Sequence, residues 1–257
     1  MIVINIKIND YQMGRVFPFA IRTKLDYLLV LFNFLNLIES YPYTRESECD
    51  GAHFLVVVKH DMSRFFIVKE RQITSGFVAL NIQIVNDNLY IKLQDFSLDF
   101  AIIRILQIIL SELRYQEDMY GQLTLSDIIG ITDNCLDDSF SEDDLSDEVR
   151  IKIHATLSHL LYCEDSYFRY DIDDVNENGI IHPLHHFDIF YSNLSTFKLG
   201  LDTHHNVQNI LDILDKDIFM EKNGLYLEEL FVKENFDMIT ALNNQIIQGI
   251  IATDNGL

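Results

Sequence analysis

Apolar and polar positions along the chain change period several times, and each change predicts an element. Residues 2–8 (IVINIKI) read as an opening strand. From Lys24 to Ile38, residues Leu25, Leu28, Leu29, Phe32 and Leu35 recur three and four apart, the packed face of a helix. A β-rich block follows. Phe54–Lys59 and Phe65–Lys69 flank His60-Asp61-Met62-Ser63, which reads as a hairpin loop. Phe77–Val85 and Leu89–Leu93 flank Asn86-Asp87-Asn88, a stronger hairpin signal because Asn and Asp tolerate positive φ. The longest helix is expected at about Leu98–Glu117, with Ser97 as its N-cap. Its apolar stripe of Leu98, Ala101, Ile102, Ile105, Leu106, Ile109 and Leu113 is widened by Ile103, Ile108 and Leu110, which predicts a central position.

Residues 133–148 (DNCLDDSFSEDDLSDE) hold eight acids and no base, the sharpest composition shift in the chain. This predicts a β-rich half over 1–130, an acidic connecting segment over 131–148 and an α+β half over 149–257. Ser146 is placed to cap a helix running to about Leu161, with Asp147 and Glu148 at the positive end of its dipole. Strands are expected within 167–201, then a helix from about His204 to Ile218 behind Thr203 as N-cap, and a last helical region over about 225–248. The fold class is therefore α+β: a β-rich N-terminal half with a long central helix, and a C-terminal half with a small antiparallel sheet flanked by helices.

Composition narrows the functions. Of 257 residues 48% are hydrophobic, with 18 Phe but only 10 Gly and 3 Pro, which fits a packed core and argues against long flexible linkers. Forty acids against 19 Lys and Arg give a formal charge of −21. Such a surface repels nucleic-acid backbones and suits a basic protein partner, or a small ligand taken into one local site. It is equally what keeps an apolar chain soluble. Three scattered cysteines (Cys49, Cys135, Cys163) without a C-x-x-C pair fit a reducing compartment. MIVINIKIND lacks the features of a secretory signal, and the apolar helices fall short of the ~20 residues of a membrane span. The expectation is a cytoplasmic protein without a membrane anchor.

The chemistry concentrates in Tyr167–Leu201, YFRYDIDDVNENGIIHPLHHFDIFYSNLSTFKLGL. Strand alternation sorts it into faces. Phe168, Tyr170 and Ile172 oppose Tyr167, Arg169 and Asp171. His185, Phe187, Ile189 and Tyr191 oppose His186, Asp188 and Phe190. Phe197, Leu199 and Leu201 oppose Thr196, Lys198 and Gly200. If the apolar faces are buried, Arg169, Asp171, His186, Asp188 and Lys198 lie together on the other side, and Ser192-Asn193-Leu194-Ser195 makes a hairpin loop. Pro183 resets the phase, so the direction of His182 stays open. His185, ending the apolar face, needs a hydrogen-bond partner if buried.

Three accounts of this region stay open. His182, His185 or His186 could move protons on a phosphodiester while Arg169 or Lys198 steadies its charge. A metal could be held by His182, His185 or His186 together with Asp188, but adjacent strand residues 185 and 186 cannot ligate from one face. Or the face is solvated, with ordinary cross-strand ion pairs. The acids of 171–179 miss the spacing of a calcium loop, and the chain has no phosphate loop, dinucleotide fingerprint or nucleophile elbow. His204 and His205 at a helix start could face an anion or simply be exposed.

The run Tyr167-Phe168-Arg169-Tyr170-Asp171, then His182-Pro183-x-x-His186-Phe187 and a Lys-containing strand, resembles an uncharacterised bacterial family found in phage-defence loci. The resemblance covers about 35 residues. It marks Arg169, Asp171, His182 and His186, and implies a defence or toxin–antitoxin setting without an activity. Together these lines lead to a bacterial defence or toxin–antitoxin component that works by protein–protein contact with a basic, nucleic-acid-handling partner. One alternative is a metal-independent nuclease or phosphodiesterase, with His182, His186 and Arg169 catalytic and Tyr170, Asp171, Lys198 and His185 binding substrate. Another is an acidic immunity protein that neutralises a toxin. No cofactor and no metal are expected, and direct nucleic-acid binding is disfavoured.

Overall fold

The structure is a computed structural model that describes residues 2–40, 53–59, 62–69, 71–85, 88–93, 96–139, 145–164, 166–179, 181–190, 197–206 and 209–210. Residues 1–203 form one compact unit and residues 204–257 a second. The class is α+β, with antiparallel sheets. Of the expected loops at 60–63, 86–88 and 192–195, residues 60–61, 86–87 and 192–195 lie outside the described residues, as does the helical region at 225–248, while Met62, Ser63 and Asn88 belong to strands.

Seven strands make one sheet in the order β1 (Ile2–Lys7), β2 (His53–Lys59), β3 (Met62–Lys69), β4 (Gln72–Phe77), β8 (Phe168–Ile172), β9 (His185–Ile189) and β10 (Phe197–Leu201). A three-stranded sheet holds β5 (Asn81–Val85), β6 (Asn88–Leu93) and β7 (Phe96–Leu98). The strand expected over Phe77–Val85 is thus two strands in different sheets. β4 ends at Phe77 and β5 starts at Asn81, and residues 78–80 between them keep Val78 and Leu80 buried, so the apolar alternation runs on through a link that pairs in neither sheet. The division at 131–148 does not separate two sheets either. β4 pairs with β8, Ile73 opposite Tyr170 and Thr74 opposite Arg169, so strands from both sides of the acidic stretch share one ladder.

Among the described residues of the first unit, five helices accompany the sheets: α1 (Asp10–Val16), α2 (Lys24–Ser40), α3 (Phe100–Tyr120), α4 (Leu125–Ser139) and α5 (Asp147–Tyr162). Each start carries a side-chain cap. Asn9 and Gln12 form a capping box on α1. Thr23 and Asp26 exchange the same bonds at α2, as do Thr124 and Asp127 at α4. Asp99, not Ser97, caps α3 by accepting from Ile102 N at 2.8 Å, so that helix begins and ends later than expected. Ser146 caps α5 as expected. In the second unit Asn206 and Asn209 exchange side chain–backbone bonds, which puts the cap at Asn206 rather than Thr203.

The acidic stretch is therefore half helix, because α4 runs through residue 139 with Leu136 and Thr132 turned inward. The most enclosed helix is α2, where Tyr27, Leu28, Val30, Leu31, Phe32, Phe34 and Leu35 are all buried. α3 packs along it but leaves Ile108 exposed. α2 lies over the centre of the large sheet. The Tyr27 ring stacks on Phe65 of β3 at 5.4 Å and meets Tyr167 edge-on at 6.3 Å. Gly76 of β4 makes that approach possible, since a Cβ there would fall 2.2 Å from the Tyr27 ring. Antiparallel partners share a face, so the side of the sheet that carries Phe65, Gly76 and Thr74 continues through Arg169 to Asp188 and Lys198.

Candidate functional site

On that face, past the cover of α2, the register stacks charged residues in rows across three strands. Arg169 faces Asp188, which faces Lys198. Asp171 faces His186, which faces Gly200. The grouping expected from strand alternation is what the structure places together, with one difference. The centre of the row is not solvated: His186 is 0% exposed, Asp188 7% and Asp171 9%, while Arg169 and Lys198 at its ends keep contact with solvent.

Buried charge persists only where it is matched, and here it is matched throughout. Arg169 Nε donates to Asp171 at 2.7 Å and its Nη2 donates to Asp188. Gln72 of β4 gives Asp171 a further bond at 2.9 Å. Lys198 Nζ donates to Asp188 at 2.7 Å and contacts His186 Nε2 at 3.0 Å. A carbonyl oxygen only accepts, so the 2.7 Å contact between His186 Nδ1 and Pro183 O puts the ring hydrogen on Nδ1. Nε2 then offers its lone pair to the Lys198 ammonium. Gly200 leaves room for Pro183 to pack so closely, because a Cβ there would meet Pro183 Cγ at 2.8 Å. Burial works against the Arg169 charge, but Asp171 and Asp188 outweigh it and hold the guanidinium pKa above its ordinary value.

His182 stands beside this row. Its ring meets that of His186 edge-on at 4.8 Å, and its Nε2 bonds Asp173 at 3.0 Å. A short turn returns it there: Asn178 and His182 form an isolated bridge, and Gly179 takes φ +50° between them. Asp173 is held down to about 2, chiefly by side-chain and backbone bonds from Asn176 and then by His182.

Tyr170 and His185, expected to bind substrate alongside these residues, do not join them. Both point through the opposite face, which Phe66, Ile73, Phe168 and Phe187 also fill. Tyr170 is 1% exposed, and His185 finds the partner it required in the Tyr170 hydroxyl at 3.1 Å, the two rings stacked. Strand parity already sets both on the apolar faces, opposite Arg169 and His186.

Beside the row opens a groove of about 450 Å³ lined by Lys69, Arg71, Gln72, Arg169, Asp171 and Asp173, among others. Burial first, and then the Arg169 cation, lowers the Lys69 pKa, with Asp171 partly offsetting them. Lys69, Arg71 and Gln72 were not among the sequence candidates. They come from β3, β4 and the turn between them, and no local signal ties that segment to Arg169.

His186 and the carboxylates of Asp171 and Asp188 carry ligand atoms all within 4.8 Å of one another, a donor set for a divalent cation. It keeps His186 and Asp188 of the ligands weighed from sequence, adds Asp171 and leaves out His182 and His185. The negative charge of this set is already met by Arg169 and Lys198, and Lys198 Nζ lies against two of the three donors. No protein-family model, curated protein or solved structure matches the chain.

Proposed function

We propose that the groove beside β8–β10 binds and hydrolyses a small phosphodiester without a metal. The observation that carries this is Arg169, held by two buried carboxylates and still 30% exposed by side chain, at the edge of a groove that Lys69 and Arg71 also line. A chain of charge −21 thus gathers three cations around one groove, against the carboxylates of Asp171 and Asp173 in the same lining and Asp174 paired with Arg71. Replacing a buried ion network by apolar side chains is often neutral or stabilising, so stability alone is a weak reason to keep this one. The net charge favours a small ligand over a polymeric nucleic acid.

In this account Arg169 and Lys198 neutralise charge that builds on the phosphoryl oxygens. His182, oriented by Asp173, takes a proton from the attacking water through the nitrogen that Asp173 does not hold, and returns it to the leaving oxygen. His186 is a positioning residue that aims the Lys198 ammonium. The test is hydrolysis of bis(p-nitrophenyl) phosphate by the full chain with EDTA present. His182→Ala and Arg169→Lys should each lower the rate about 100-fold or more at unchanged fold content. Hydrolysis that vanishes with EDTA, or survives both changes, removes the proposal.

A second account rests on a different observation. α4 carries Asp127, Asp133, Asp137 and Asp138, all exposed, and no Lys or Arg. It is that of a cytoplasmic bacterial defence or toxin–antitoxin subunit, or an immunity protein, that docks a basic partner through its acidic surface. Among the described residues no helix is long and apolar enough to cross a membrane.

A further inference from the structure

A second concavity of the first unit lies away from the charged row, among the start of α2, the end of α3, and helices α4 and α5. It encloses about 580 Å³, within the size range of small-molecule sites. Its walls are mostly apolar, with Leu25, Leu123, Ile128, Leu157 and Leu161 among them. At its rim Leu125, Ile129 and Tyr162 stay exposed.

One polar group in this wall lacks what it needs. Glu117, near the end of α3, accepts a side-chain hydrogen bond from Thr23, yet its Oε2 is buried with no partner. Burial raises the Glu117 pKa, and the neighbouring Asp26 and Asp118 raise it further while Arg114 and Thr23 pull the other way. A carboxylate oxygen held away from water without a donor is unfavourable, so the position favours a ligand that supplies one. Glu164 in the same lining adds negative charge. The Lys24 ammonium, also in the lining, donates to the Cys163 carbonyl.

We propose that this cavity binds a small amphipathic amine, its ammonium on Glu117 Oε2 and its hydrocarbon part against the walls of α4 and α5. A cation suits the site better than a neutral donor, because the four carboxylates of Glu117, Asp26, Asp118 and Glu164 outnumber the two cations near them, Arg114, which pairs with Asp26 and Asp118, and Lys24. The ligand class is thus an alkyl- or arylammonium, which is independent of the phosphodiester chemistry assigned to the groove at Arg169.

The experiment titrates the full chain with n-hexylamine and, in parallel, with 1-hexanol, by calorimetry at moderate salt. Hexylamine should bind saturably and 1-hexanol at least about tenfold more weakly, as expected when a charge-assisted bond is lost. Glu117→Gln should weaken hexylamine about tenfold and leave 1-hexanol unchanged. Ser158→Trp, from an exposed position at the cavity edge, should block both. Equal binding of the alcohol, full binding by Glu117→Gln, or hexylamine uptake that persists in Ser158→Trp overturns the proposal, the last by showing mere attraction to an anionic surface. Absence of saturable binding in the unaltered chain overturns it as well.

Discussion

Arg169 joins two carboxylates that would otherwise repel each other across a strand pair, so its loss is felt at both. Breaking one partner out of a buried charge network costs about 3–5 kcal/mol, and Lys198 and Gln72 stay behind to share the load. Arg169→Ala is therefore expected to lower the unfolding free energy by about 2–4 kcal/mol in urea titration, with an unchanged denaturant slope. A loss below about 1 kcal/mol would mean that the row behaves as a solvated surface network. A second residue-level expectation concerns Asp173. Its carboxyl titrates near 2 in the fold against an ordinary 3.8, so its contribution is complete above pH 3.8 and is lost as the pH falls through about 2. Carboxyl chemical shifts followed by NMR should place its midpoint near 2, and a midpoint at the ordinary value would exclude the Asn176 and His182 bonds. Sequence showed which residues share the row, since a strand period of two allows only two faces. It did not show that the centre of the polar face is buried: burial depends on what packs against a strand, and 167–201 contains no word of α2 or β4.

At the scale of elements, the close approach of α2 to β4 rests on the missing side chain at Gly76. The Tyr27 ring cannot move aside cheaply, because it stacks on Phe65 and its hydroxyl donates to the Phe77 carbonyl. Gly76→Ala should therefore destabilise the fold by about 1–3 kcal/mol, the usual cost of overpacking. The double change with Tyr27→Phe should be less than additive, since it releases the ring from its anchor. Full additivity by thermal unfolding would show that the two positions do not meet. The same scale explains the missed elements. α1 and α4 begin with reciprocal caps that can be read in the sequence, Asn9 with Gln12 and Thr124 with Asp127, but α1 is seven residues long and α4 lies in a stretch whose acidity reads as a linker. The β4–β8 pairing joins Gln72 to Asp171 and has no local trace, because a ladder between strands so far apart in sequence is decided by the assembled core.

For the molecule as a whole, the charge of −21 is either a solubility device or a docking field, and salt separates them. The Debye length is about 10 Å at 0.1 M and about 3 Å at 1 M, so a complex steered by α4 must weaken steeply across that range. Asp137→Lys with Asp138→Lys reverses charge on the exposed side of α4. The cost to folding is small, because the one ion pair lost among the described residues, Asp137 to Arg150, is a surface pair worth at most about 1 kcal/mol. If the docking account holds, a partner captured by the unaltered chain from its host at low salt is lost with this double variant and retained with His182→Ala. If the phosphodiester account holds alone, both acidic positions are silent in hydrolysis, and His182→Ala removes turnover whatever the salt. Loss of capture together with loss of turnover in one variant would contradict both, because α4 and the Arg169 row lie on different elements and share no contact that either account requires.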